Sequence, residues 1–246
     1  MLLVWIIGFS VLASVGCIAG AALILLFPEG IRKVILPCLI SYATGTLLGA
    51  AFLAMIPAGL KHAHVTTITT TVLAGMVLFF VLEKLVLWRH CHADGCEAHS
   101  QAAPLILIAD AFHNFVDGVV IAAAFLTSIP LGVAAALAVI AHEVPQEVGD
   151  FAILLDSGYG RRKALVLNAL SATASLPGAV VAFFWLVETR GALPYILGLS
   201  AASFIYIAVA DLIPGLHRQV TLAASLRQLA LLLAGIGTIA FLRFDH

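Results

Sequence analysis

The residues able to do chemistry in this chain are concentrated in two stretches. Asp110, His113, Asn114 and Asp117 form the first, and His142, Glu143, Gln146, Glu147 and Asp150 the second. Residues three and four apart share a helix face, so the first set makes one polar stripe down an apolar rod. The second set makes a broader stripe, loosened by Pro145 and Gly149. Of the chain's 13 acidic residues five lie here, and the nearest basic residues in sequence are Arg89 and Arg161. An ionised carboxylate is costly to bury unless it is paired, and ionisable groups inside a membrane mark function. The charge that is missing is that of a metal ion, with protons as its competitor. Imidazole, carboxylate and carboxamide together suit zinc, iron(II) or manganese better than magnesium or calcium, which prefer all-oxygen shells.

The same residues admit other readings. Hydrogen-bonding glue between helices accounts for one or two polar residues per helix and fits nine badly. A proton-only pathway stays open, because chains of Asp, Glu and His also relay protons. His142-Glu143 matches the start of the zinc-protease motif H-E-x-x-H. Gln146 stands where the second histidine belongs, however, and Pro145 disturbs the helix that would align the ligands. An intramembrane metal-dependent hydrolase needs an activated water and a lipid or peptide pocket. A metal sensor would bind ions without passing them.

Composition says what must position the stripes. The chain has 246 residues, of which 63% are hydrophobic and only 10% charged, with a mean hydropathy of +1.13. Soluble domains carry about 25% charged residues. The expectation is an all-α integral membrane protein, eight transmembrane helices in one bundle and one transmembrane domain over 1–246. The spans fall at about 2–26, 35–59, 66–88, 103–128, 131–155, 164–187, 192–215 and 222–242. Residues 1–26 are too long an apolar run for the core of a signal peptide and lack a basic leader, which makes them the first span. The net charge of −1 gives no case for nucleic acid, and no organic cofactor is expected. The partners expected are divalent metal ions and the lipid bilayer.

Orientation follows from the basic residues. Arg32, Lys33, Lys84, Arg89, Arg161, Arg162, Lys163, Arg218 and Arg227 fall on one side, and only Lys61, Arg190 and Arg243 on the other. The first side is expected to be cytoplasmic and both termini extracytoplasmic. Short loops and the absence of Asn-x-Ser/Thr sequons point to a bacterial inner membrane. Pro37, Pro104 and Pro194 are expected in first turns of spans, where proline is tolerated. Pro57 and Pro214 are expected at helix ends. Pro145 lies among the polar residues, where it would free the carbonyl of Ala141. The cytoplasmic loop 89–102 holds His90, Cys91, His92, Cys96 and His99, soft ligands whose spacing matches no closed zinc module. They are auxiliary ligand candidates, and a plain polar connector is the alternative.

HNFVDG (113–118) and HEVPQEVGDFAIL (142–154) resemble the fourth- and fifth-helix signatures of the ZIP (Zrt/Irt-like) metal transporters. The nearest branch reads HNFxDG and HEVPHEVGD. FFVLEK (79–84) and SAASFIYIAVADLIP (200–214) extend the resemblance over nearly the whole chain. It implies a two-metal centre between helices four and five. His113, Asp117, His142 and position 146 match ligands of the first metal. Asn114 and Glu143 match ligands of the second, with Asp117 bridging. It also implies import of zinc, iron, manganese or cadmium towards the cytosol, with zinc favoured. The implied mechanism is an elevator in which helices 1, 4, 5 and 6 slide against 2, 3, 7 and 8, and a homodimer is among the partners the resemblance implies. The departure is Gln146, where the branch has histidine, so weaker first-site binding is expected. Asp110 is expected to accept protons or stage the ion, and Glu147 and Asp150 to line the cytoplasmic exit.

Overall fold

The computed structural model describes the backbone of residues 1–90, 98–218 and 221–244 and the side chains of residues 1–85, 106–218 and 221–242. Eight helices are long and apolar enough to cross a membrane, and the described residues contain no strand. They are α1 (Leu2–Leu25), α2 (Glu29–Leu60), α3 (Val65–His90), α4 (Ala98–Thr127), α5 (Ile129–Asp156), α6 (Arg161–Glu188), α7 (Arg190–Leu216) and α8 (Leu222–Phe244). In hydrocarbon every backbone polar group must be satisfied within the protein, which a helix does along its own length. The chain is therefore a multi-pass integral membrane protein.

The closest helix pairings divide the bundle into two groups. In the first, α4 lies against α6, with α1 and α5 packed alongside. In the second, α2 lies against α8 and α3 against α7. Glycine makes both approaches possible. A Cβ on Gly118 would stand 2.0 Å from the carbonyl oxygen of Ser175, and one on Gly178 would stand 2.1 Å from that of Phe115. These reciprocal contacts lock α4 to α6 backbone against backbone. Gly45 and Gly235 do the same for α2 and α8, facing the carbonyls of Leu232 and Tyr42. Lipid offers helices no hydrophobic reason to associate, so close packing at small residues is the main attraction.

The two groups meet mainly where α5 crosses α2 and where α4 touches α7. That junction is apolar and largely alanine: Ala51, Ala54, Ala123, Ala124, Ala135, Ala138 and Ala201 are all buried in one core with Met55, Phe125 and Phe204. The outer faces of α3 and α8 stay exposed and apolar, with Leu73, Val77, Phe80, Leu229, Leu233 and Phe241 outward, as a lipid-facing surface requires.

Two boundaries differ from the sequence expectation. The second span begins at Glu29 and not near 35, so Pro37 lies inside the helix and not in its first turn. The extra turns are polar but self-supporting, with Lys33 Nζ 2.6 Å from the Glu29 carboxylate one turn earlier. Likewise α4 begins at Ala98, which puts Pro104 beyond its first turn. Pro194 does start a helix, as expected. Pro57 and Pro214 stand near the ends of α2 and α7, each just after a wide π turn, Ala50–Met55 and Ile207–Leu212. A proline cannot donate to the carbonyl one turn back, and a widened turn is one way a helix accommodates it.

Candidate metal centre

The site is set by the α4–α5 hairpin. A single residue, Ser128, separates the two helices, and its hydroxyl accepts a hydrogen bond from Leu131 N as the N-cap of α5. Pro130 follows in the first turn, where its missing donor costs nothing. Because the turn is so short, residues equally far from it stand at the same height on the two helices. His113 lies 15 residues before Ser128 and His142 lies 14 after it; Asp110 and Gln146 each lie 18 away.

Four donors converge at the first of these heights. His113 Nε2 is 3.2 Å from His142 Nε2, 3.2 Å from Glu143 Oε1 and 3.9 Å from Asp117 Oδ2. His142 Nε2 is 3.2 Å from Asp117 Oδ2 and 3.4 Å from Glu143 Oε1. Metal–donor bonds of about 2.0–2.2 Å in a tetrahedron set the donors about 3.3–3.6 Å apart. The five distances above, 3.2–3.9 Å, are close to those of such a shell. His142 Nδ1 lies 2.9 Å from the carbonyl oxygen of Ala138. A carbonyl only accepts, so Nδ1 carries the proton and Nε2 is left with a lone pair for a ligand.

Burial raises the cost of leaving these groups unpaired. His142, Asp117 and Glu143 are at most 1% exposed, and the carboxylate oxygens of Asp117 and Glu143 receive no well-formed hydrogen bond. Each buried ion left uncompensated costs several kcal/mol, against a net stability of about 5–15 kcal/mol for a typical fold. A cation or protons must therefore accompany this group in the folded protein.

One turn further along, Asp110 Oδ1 accepts hydrogen bonds from Asn114 Nδ2 at 3.0 Å and Gln146 Nε2 at 3.3 Å. The two carboxamides thus present their nitrogens to Asp110. Glu147 is fully buried and Asp150 half-buried. Asn168 of α6 donates to the Glu147 carbonyl oxygen at 3.1 Å, tying α5 to α6 at this height.

His113 is the least enclosed of the four donors, its side chain 22% exposed. It opens onto a cavity of about 420 Å³ that Asp110, Gln146 and Asp150 also line. The far wall is Glu83 of α3 with Tyr206 and Asp211 of α7, the Tyr206 hydroxyl donating to the Glu83 carboxylate. Glu83 and Asp211 were not expected at the site. Their signal in the sequence was an acidic residue in an apolar run, at positions too remote to be linked to the two stripes. A separate cavity of about 670 Å³ opens elsewhere, lined by Lys61, His62, Ser128 and Leu131 among others. Of the loop candidates, Cys91, His92 and Cys96 lie outside the described residues, as do the side chains of His90 and His99.

The chain is similar to known proteins along much of its length. The family model described as ZIP zinc transporter matches residues 89–243, which include both stripes. The chain is 34% identical over 216 residues to zinc transporter ZIP13 of Pongo abelii, a match covering 80% of this chain and 64% of that protein. It is 36% identical over 138 residues to zinc transporter zipt-7.2 of Caenorhabditis elegans, covering 54% and 30% of the two chains. Identity to zinc transporter ZIP4 of Mus musculus is 42% over 112 residues, 46% of this chain and 17% of that protein. Each of these matches spans less than two thirds of the relative's own length. With more than half of its residues matched to the family model, and with the two polar stripes inside the match, the chain belongs to the ZIP zinc transporter family.

Proposed function

We propose that this protein carries divalent transition-metal ions, zinc foremost, across a membrane towards the cytosol, through a site held by His113, Asp117, His142 and Glu143. The observation that carries the proposal is the convergence of four donor atoms from α4 and α5, with the Asp117 and Glu143 carboxylates buried and without hydrogen-bond partners. Two imidazoles with two carboxylates suit zinc or iron(II). Asn114 and Gln146 act beside this group, and membership of a transporter family sets the hydrolase reading aside. Nine basic residues against three favour a cytoplasmic cavity side. Short loops and the lack of Asn-x-Ser/Thr sequons favour a bacterial inner membrane, and the reading takes 1–246 as one transmembrane domain.

An ion held by the four donors would leave past His113 into the cavity, where Asp110, Asp150, Glu83 and Asp211 offer successive carboxylates. On the other side the site is backed by buried apolar residues, including Phe204, whose ring centroid is 6.1 Å from that of His142. Access from that side requires the two helix groups to shift. The many alanines in the core they share keep the two groups' backbones close and smooth, which favours sliding of α1, α4, α5 and α6 as a unit.

The test is metal entry into sealed liposomes bearing the purified protein, with zinc, iron(II), manganese and cadmium compared. Saturable entry is expected, and His113→Ala and Glu143→Ala are each expected to abolish it. Binding without entry would overturn transport and leave a sensor.

A further inference from the structure

The short connection from α5 to α6 ends on three consecutive cations. Gly158, with a φ of 85°, turns the chain after α5, and Arg161, Arg162 and Lys163 then open α6. All three are exposed, and among the described residues none of them forms an ion pair. The first turn of α6 holds no acidic residue. Adjacent like charges repel, and the partial positive charge at this end of a helix adds to the repulsion. Lys163 is held in place all the same, its Nζ 4.5 Å from the centroid of the Tyr159 ring. Such a patch attracts an anion that the described part of the chain does not supply.

The same three residues line an open groove of about 610 Å³, with Val166 and Leu167 as its apolar wall. Arg162, Val166 and Leu170 follow at four-residue intervals on one face of α6, and Val166 and Leu170 are 58% and 66% exposed. A cationic head therefore stands above an apolar track that runs about 12 Å along the helix. An inorganic anion would use the head and leave the track bare. A phospholipid matches both, with its phosphate against the cations and an acyl chain along Val166 and Leu170. Basic clusters beside membrane helices attract anionic headgroups, and the charge split between the two sides favours the cytoplasmic leaflet here.

We propose that Arg161, Arg162 and Lys163, together with Val166 and Leu170, form a docking site for one anionic phospholipid. The arginine forks grip the phosphate oxygens and Lys163 adds a point charge. The site sits on a helix that also braces the four donors, since Asn168, five residues beyond Lys163, donates to the Glu147 carbonyl oxygen. It goes beyond the transport reading and stands without it, because its test reads bound lipid and not metal.

The experiment is native mass spectrometry of the full chain from detergent micelles holding phosphatidylglycerol and phosphatidylcholine in equal amounts. The wild type is expected to retain phosphatidylglycerol selectively. Each basic residue near a membrane surface contributes about fivefold in affinity, so Arg161→Gln, Arg162→Gln and Lys163→Gln together should weaken retention about 100-fold. Arg161→Lys with Arg162→Lys keeps the charge and should preserve most of the binding. Lys33→Gln, Lys84→Gln and Arg218→Gln together remove the same charge from the same side and should leave retention unchanged. Val166→Ser with Leu170→Ser should weaken retention while every charge stays in place. Glycerol phosphate in excess, which has the head and no acyl chain, should not displace the lipid. Equal retention of the two lipids by the wild type would overturn the proposal, and needs no variant to be read. Equal losses in the two glutamine triples, or full retention by the serine pair, would overturn it as well. Displacement by glycerol phosphate would reassign the groove to a free anion.

Discussion

At the scale of single residues, the main chain and two neutral amides decide what the charged groups can do. The carbonyl of Ala138 claims the Nδ1 proton of His142 and so turns Nε2 towards its fellow donors. Gln146 Nε2 donates to Asp110, and a carboxamide is a weaker ligand than imidazole for a borderline metal. Gln146→His is therefore expected to tighten zinc binding by about tenfold or more, the scale of a single good ligand contact, and to slow turnover. Competition titration against a chelator and initial uptake rates would measure the two effects, and unchanged affinity would count against any ligand role at 146. Ligands must be deprotonated to bind, so affinity should fall as protons compete for the imidazole and carboxylate lone pairs. Zinc titrations between about pH 7.5 and about pH 5.5, across the ordinary histidine range, should show this loss in the wild type, and a weaker dependence in His113→Ala.

At the scale of helices, the site's precision depends on contacts away from it. The height of α4 relative to α6 is set where Gly118 and Gly178 bring the two backbones together. Gly178→Ala would put a methyl group 2.1 Å from the Phe115 carbonyl oxygen, a contact that only backbone movement relieves. Overpacking of this kind costs about 1–3 kcal/mol or more. The variant should unfold at lower temperature in detergent than Gly149→Ala, whose added Cβ meets nothing within 4 Å. Equal melting temperatures would show that the α4–α6 contact is not what sets this height. Pro145 interrupts the α5 hydrogen-bond ladder in the middle of the site, between Glu143 and Gln146, without ending the helix. Neighbouring helices hold the segment in place, notably through the Asn168 bond to the Glu147 carbonyl.

For the molecule as a whole, one side of the candidate site is open and the other is sealed by packed alanines and large apolar side chains. This asymmetry predicts one-sided access. With the four native cysteines replaced, Ala210→Cys in the cavity wall should react with a charged thiol reagent only from the side bearing Arg161, Arg162 and Lys163. Ala58→Cys, which lines the cavity beside Lys61 and His62, should react only from the opposite side. Labelling of either cysteine from both faces would contradict a sealed junction. The exposed apolar faces of α3 and α8 place these helices at the lipid boundary, leaving the polar groups to the interior.

The residues alone determined the class of the molecule. Eight apolar runs have no stable home but hydrocarbon, and uncompensated acids among them call for a cation. The i, i+3, i+4 spacing placed His113 and Asp117 on one face, and HNFVDG with HEVPQEVGD was enough to resemble the right family. The one-residue turn at Ser128 even carried the pairing of Asp110 with Gln146, since both stand 18 residues from it. Other features needed the packed bundle. Periodicity says which face of a helix is polar, but it does not say how two helices are rotated against each other. Hence only the tertiary structure put Glu143 beside both histidines, turned the Asn114 and Gln146 amides onto Asp110, and left Glu147 buried without a partner. Glu83 and Asp211 reach the same cavity from remote positions because α3 and α7 pack together, a contact that no local spacing encodes.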